Sequence, residues 1–133
     1  MFIDSSIIIE VFKGNQKAID IAEALLFRNF ICINEVVYSE VMYQLCFRKD
    51  FSKEKIGKLL LESFNFLNIN KNILALSLNY MSNYKIKPND SLIIATCKFY
   101  KIDKLISLDS DFEKICKDEK IQLINSKEQK IGR

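Results

Sequence analysis

Carboxylates are the groups in this sequence best placed to do chemistry. There is no histidine, which excludes imidazole acid–base catalysis, the Ser-His and Cys-His nucleophile pairs and phosphohistidine chemistry. Three glycines and one proline, Pro88, leave no G-x-G-x-x-G and no P-loop, so no nucleotide cradle of those kinds. Any enzyme built from this chain must work with carboxylates, lysines or a metal.

Four acids stand out. Asp4 follows the apolar Phe2-Ile3 and precedes Ser5-Ser6. It can cap a following helix, but either serine can cap as well, which leaves Asp4 free to be a ligand. Glu40 has Val36 and Val37 one helical turn behind it, Tyr43 and Gln44 one turn ahead and Val41 beside it. It lies at the edge of an apolar stripe, where a carboxylate needs a partner, and no cation is placed to be one. Glu35, by contrast, suits a solvated face. Asp90 heads the apolar stretch Ser91 to Tyr100, where a first-turn acid suits the helix dipole and remains free to bind. Asp109 and Asp111 lie in Leu105-Ile106-Ser107-Leu108-Asp109-Ser110-Asp111-Phe112. One of the two can cap a helix start; two at this spacing exceed what capping requires.

If these acids converge, their repulsion decides the chemistry. Two unit charges ~5 Å apart repel by roughly 3 kcal/mol at an effective dielectric of about 20. Such a cluster protonates or binds a cation. Mg2+ and Mn2+ take oxygen ligands, lower the pKa of bound water and stabilise charge on a phosphate, without histidine.

The elements that must position these acids follow from the pattern. Met1 to Asp4 reads as a strand, then a short helix from Ser6 to Phe12 ended by Gly14. Gln16 to Phe27 is helical and Phe30 to Ile33 a strand. Asn34 caps a helix running to about Arg48, and Ser52 opens one reaching Phe64. Phe66 to Ile69 is a strand and Ile73 to Tyr84 a helix. After Pro88, Asn89 or Asp90 begins a helix reaching Tyr100. Lys104 to Leu108 is a strand, Phe112 to Lys117 a short helix and Ile121 to Ile124 a last strand. Lys127 to Arg133 reads as a polar, frayed end.

Strand and helix in alternation is the signature of a parallel α/β sheet. Right-handed crossovers bring the strand C-termini to one edge, and ligands bind beyond that edge. Asp4 ends the first strand and Asp109 follows the fourth, so the topology carries two distant acids to the same place.

The remaining composition sets bounds. The chain has 133 residues, 49% of them hydrophobic, enough for one domain spanning 1–133 with its own core. No linker, repeat or low-complexity stretch divides it. Its longest apolar runs are of the Ile7-Ile8-Ile9 kind, far short of the ~20 residues of a membrane span. No signal-peptide pattern opens the chain, so a cytoplasmic location is expected. Cys32, Cys46, Cys97 and Cys116 are scattered among apolar neighbours and read as reduced thiols. A net charge of +3 permits nucleic-acid binding without demanding it. Arg48 and Lys49, after the Glu40 helix, and Lys85 and Lys87, before Asp90, are the basic candidates for a nucleic-acid backbone.

Four segments in order resemble the PIN domain family, and more narrowly the VapC-type toxins of toxin–antitoxin pairs. They are Met1-Phe2-Ile3-Asp4-Ser5-Ser6, Asn34-Glu35-Val36-Val37-Tyr38-Ser39-Glu40-Val41, Asn89-Asp90-Ser91-Leu92-Ile93-Ile94-Ala95, and the Leu105 to Phe112 segment. The resemblance implies a Rossmann-like three-layer α/β/α sandwich with a mainly parallel sheet. It implies a Mg2+- or Mn2+-dependent endoribonuclease, with Asp4, Glu40, Asp90 and Asp109 around the metal and Asp111 as second choice for the fourth acid. It also implies that Ser6 and Ser107 orient the acids, that the chain is a homodimer, and that a VapB-like antitoxin covers the site. Family members cut different RNAs, and some have no toxin role.

Rival α/β classes fit less well. A phosphorylated receiver domain wants an acid pair after the first strand and an aspartate ending the third; here serines follow Asp4, and Asn68 and Asn70 stand near the third strand's end. A haloacid-type phosphatase wants a second aspartate where Ser6 stands. A catalytically silent binding module of the same fold is the remaining alternative.

Overall fold

Residues 1–132 are described by a computed structural model. The element order is β1 (Phe2–Ile3), α1 (Ser5–Phe12), α2 (Gln16–Leu25), β2 (Cys32–Ile33), α3 (Glu35–Leu45), α4 (Lys53–Ser63), β3 (Asn65–Phe66), α5 (Lys71–Tyr84), α6 (Pro88–Phe99), β4 (Lys104–Ile106), α7 (Glu113–Asp118) and β5 (Gln122–Ile124). A single 3-10 turn, Ser110–Phe112, leads into α7.

The five strands form one sheet in the order β3-β2-β1-β4-β5, and every pairing is parallel. Phe2 lies opposite both Cys32 and Leu105, and Ile3 opposite Ile106. Parallel strands need helical crossovers, which bury both faces of the sheet. Phe2, Ile3, Ile33, Leu105, Ile106 and Ile124 are accordingly inaccessible to solvent. Crossovers stepping from β1 toward β3 and those stepping back toward β5 lie on opposite faces when right-handed. The result is the α/β/α sandwich. The chain leaves β1 toward β2 on one side, and β4 sits on the other, so the order reverses between β1 and β4. Such a switch point opens a crevice at the strand C-termini.

Local chemistry sets the helix starts. Asn15, Asn34, Ser52 and Asn70 each accept the backbone N–H three residues on, from Ala18, Val37, Lys55 and Ile73, satisfying an otherwise orphaned donor. Pro88 occupies the first turn of α6, where its missing N–H costs nothing. α6 therefore starts at Pro88 with Lys87 as cap, slightly earlier than Asn89 or Asp90. Lys85 closes α5 in the left-handed region, φ 55°, a turn more often made by glycine.

Several elements are shorter than the sequence pattern suggests. β2 and β3 are two residues each, and α3 stops at Leu45 rather than near Arg48. Hydrophobic runs overestimate strands, because the flanking residue stays buried after ladder pairing ends; Ile121, whose N–H turns back to the Cys116 carbonyl, is such a residue. The expected frayed C-terminus is tied down through Gly132. Gln122 donates to the Lys130 carbonyl and accepts from the Gly132 N–H, and Gln129 donates to the Leu123 carbonyl. Arg133, the last residue of that segment, lies outside the described residues. Cys32, Cys97 and Cys116 are buried free thiols and Cys46 is half-buried, as the reduced reading expects. Among the described residues, no helix is long and apolar enough to cross a membrane.

Candidate metal centre

Asp4 is carried to the crevice by β1. Its own N–H continues the ladder by donating to the Ile106 carbonyl at 2.9 Å, which holds it beside the end of β4. It occupies the cap position of α1, yet its carboxylate makes no capping bond. That carboxylate, 5% exposed, instead accepts from Ser107 Oγ at 2.8 Å. Ser107 Oγ also accepts the Asp109 N–H at 3.0 Å, so one buried hydroxyl fixes two acids. Ser6 Oγ lies 3.3 Å from Ser107 Oγ and accepts the Leu108 N–H at 3.1 Å. Ser6 and Ser107 together lace the start of α1 to the turn after β4.

Glu40 reaches the same crevice from α3. Ser5 Oγ donates to its Oε1 at 3.1 Å. Glu40 is half-buried, where the apolar stripe placed it. Glu35 does stay exposed, and accepts the Ile69 N–H. A buried pair steadies the two helices behind the acids: Asn34, the cap of α3, donates through Nδ2 to Thr96 Oγ1 of α6 at 2.8 Å.

Asp90 stands in the first turn of α6, half-buried. One oxygen each of Asp90, Asp109 and Asp111 all lie within 4.8 Å of one another. Asp109 also accepts the Asp111 N–H at 2.9 Å; it both caps the turn and faces Asp90. The turn presents both Asp109 and Asp111 to Asp90. Asp4 and Glu40 stand outside this tight triad but close enough to act on it.

The electrostatics report the crowding. Burial, then the charges of Asp109, Asp4, Glu40 and Asp111, push the Asp90 carboxyl up to about 7. Burial raises Glu40, with Asp4 the next cause. Burial raises Asp4 too, opposed by the hydrogen bonds from Ser107 and Ser6. Among the described residues, the ion pairs are Arg48–Asp50, Lys104–Asp103 and Lys127–Asp20; none reaches the five acids. A set of oxygen donors, mutually repelling and without a protein cation, suits a hard divalent ion. Asp90, Asp109 and Asp111 can hold one.

The basic candidates divide. Arg48 is spent on Asp50, at 2.8 and 3.1 Å, and lies over the Phe51 ring at 4.9 Å. Lys49 lines a cavity with Phe12 and Phe51 that none of the five acids borders. Lys85 and Lys87 are exposed and flank the start of α6, on the chain leading to Asp90. One positioning residue escaped the sequence reading: Ser5, the partner of Glu40. Two serines after Asp4 already exceeded what one helix cap needs, and that surplus was the available signal.

A parallel α/β sheet with a crowded acidic crevice at its switch point defines a class of α/β proteins that could hold a divalent cation there. Comparison with known proteins narrows it. The sequence model of the PIN domain matches residues 1–118. Ribonuclease VapC6 of Methanocaldococcus jannaschii is 34% identical over 86% of this chain and 92% of its own. Ribonuclease VapC2 of the same organism is 31% identical over 86% and 88%. A toxin–antitoxin complex from Klebsiella pneumoniae superposes with a TM-score of 0.70 at 28% identity, covering 86% of this chain and 91% of that one. The chain belongs to the PIN domain family, among its VapC-type members.

Proposed function

We propose that this protein is a Mg2+- or Mn2+-dependent endoribonuclease, acting as the toxin of a VapBC-type toxin–antitoxin pair. The observation that carries the reading is the meeting of Asp4, Glu40, Asp90, Asp109 and Asp111 at one sheet edge, with no ion pair to any of them among the described residues. The kinship to two ribonucleases named VapC and to a toxin–antitoxin complex supports RNA as the substrate and an antitoxin as the partner.

In this reading Asp90, Asp109 and Asp111 hold the cation, with Asp4 and Glu40 completing the acidic wall. When bound, the ion supplies Lewis acidity toward the phosphate and an activated water. The chain's own part is position. Ser107 keeps Asp4 and the Asp109 backbone in one geometry, and Ser5 holds Glu40 against the crevice. Lys85 and Lys87 are the free cations for the RNA backbone. β5 completes the same sheet beyond residue 118, which supports reading 1–133 as one domain. A VapB-like antitoxin and a second copy of the chain are the expected partners. Phe27 and Phe30, 89% and 71% exposed, offer apolar surface that a protein partner would cover.

The test is cleavage of RNA by the purified protein with Mn2+, with and without EDTA, followed by sequencing of RNA ends after induction in cells. Metal-dependent cuts at defined sites are expected. A protein that binds its partner but never cuts RNA with metal present would instead be the silent binding module.

A further inference from the structure

Beside the acids, sharing only Glu40 with them, lies a cavity of about 320 Å3 lined by Ile9, Ser39, Glu40, Tyr43, Gln44 and Asn89. Its size sits at the lower end of small-ligand clefts, roughly 300 Å3 and upward. Glu40 is its common wall with the metal centre. Ile9 packs against the core, and the rest of the lining lies outside both the core and the acid cluster. Tyr43 follows Glu40 by three residues on α3, and Gln44 by four, so both share its face. The Tyr43 ring is 69% exposed, held edge-on by Phe47 with centroids 6.2 Å apart. Among the described residues, the side chains of Ser39, Tyr43 and Gln44 have no hydrogen-bond partner. No lysine or arginine lines the cavity.

These groups select a ligand chemistry. A phosphate would meet the Glu40 carboxylate and no cation, so the sugar–phosphate chain is disfavoured there. A flat, neutral ring with donors and acceptors on its edge meets what is present: an aromatic face, an aliphatic floor at Ile9, and the amides and hydroxyl of Gln44, Asn89 and Ser39. We infer that this cavity is a nucleobase subsite, in which one base of single-stranded RNA next to the cleaved bond stacks on Tyr43 and is read by Gln44, Asn89 and Ser39. The inference rests on the nuclease reading above and gives it a source of base preference. The shared wall at Glu40 puts the bound base beside the cut rather than at a remote site.

The experiment uses the full chain with Mn2+ and a fluorescein-labelled pool of random single-stranded hexaribonucleotides. Anisotropy gives the dissociation constant, and sequencing of the products gives KM and base preference. Stacking on one aromatic ring is worth about 5- to 150-fold in affinity. Tyr43→Ala is expected to raise both Kd and KM within that range, and Tyr43→Phe, which keeps the ring, to recover most of the loss. Gln44→Ala is expected to flatten the preference at one position flanking the cut. Circular dichroism melts check the fold of these surface variants. If wild type cuts and Tyr43→Ala matches it in KM and base preference, the subsite is wrong and the nuclease stands. If wild type binds without cutting and Tyr43→Ala loses the binding, the subsite stands and the nuclease reading falls. If wild type neither binds nor cuts, both fall, and the cavity belongs to a protein partner.

Discussion

Two groups of acids in this molecule are treated in opposite ways. At the α5–α7 corner, Glu119 accepts from the Tyr80 hydroxyl and Asp118 accepts from Tyr84 at 3.0 Å, while Lys98 Nζ donates to the Glu119 carbonyl at 3.1 Å. Each carboxylate there has a neutral donor beside it, and the cost shows on the tyrosines, both raised by burial and by the acid they serve. At the β1–β4 switch point, five acids crowd together, and the hydroxyls among them fix orientation without supplying charge. Acids that hold a fold together are given partners one by one. Acids kept for a ligand are positioned and left with oxygens to spend.

The largest expected effect tests this contrast at its centre. Asp90→Asn keeps the shape of the side chain and removes its charge. If Asp90 binds the catalytic ion, the loss is several kcal/mol of transition-state stabilisation, about 1000-fold or more in kcat/KM. The same change relieves repulsion, so the metal-free melting temperature should hold or rise. A variant that unfolds instead would make Asp90 a structural acid like Glu119. The second effect concerns Ser107, which supports two acids from behind. Ser107→Ala is expected to lower Mn2+ affinity and cleavage by about 10- to 100-fold, the usual cost of removing a group that orients a metal ligand. Isothermal titration with Mn2+ and cleavage kinetics together separate affinity from rate.

The contrast was only partly legible in the sequence. Asp4 and Asp109 could be brought together from topology alone, because a parallel sheet with right-handed crossovers has one C-terminal edge. Glu40 was legible from helical periodicity, since its apolar neighbours mark it as held inward. The hydroxyl lacework was less so. Ser6 and Ser107 came from the family pattern, and Ser5 was visible only as a possible cap. A serine's partner depends on which helix crosses above it, and a one-dimensional pattern does not carry that. The closeness of both Asp109 and Asp111 to Asp90 was hidden likewise, because it turns on a 3-10 turn that lets the first cap the second while both face Asp90. The short strands show the same limit, since burial outlasts ladder pairing at their ends.

A third prediction uses pH. The folded Asp90 carboxyl is pushed up to about 7 from an unperturbed value near 4, and Asp4 and Glu40 shift the same way. Between those values the folded chain holds more protons than the unfolded chain. The associated stability is therefore complete below about pH 4 and is lost as pH rises through 7. The metal-free protein should lose melting temperature from this cluster between pH 5 and 7.5. Mg2+ should restore it, with a larger increment at pH 7.5, where the acids are ionised. Melts in EDTA and in Mg2+ at both values check this; equal increments would mean that the ion binds elsewhere.

The smallest effect lies at the other corner. Tyr80 is buried against α7, and its hydroxyl meets Glu119 across 39 residues of sequence. Tyr80→Phe removes that donor and leaves the ring packed. A hydrogen bond to a charged group contributes roughly 1.5–3 kcal/mol when intact. Glu119 is only half-buried and recovers part of this from water, so a loss of about 1 kcal/mol is expected. It should appear in denaturant melts and leave Mn2+-dependent cleavage unchanged. Asp90→Asn and Tyr80→Phe then form a crossed pair: the first costs activity and spares stability, the second costs stability and spares activity. If Tyr80→Phe instead weakened cleavage as much as Ser107→Ala does, the two groups of acids would be coupled through α6, which carries Asp90 at its start and Lys98 near its end.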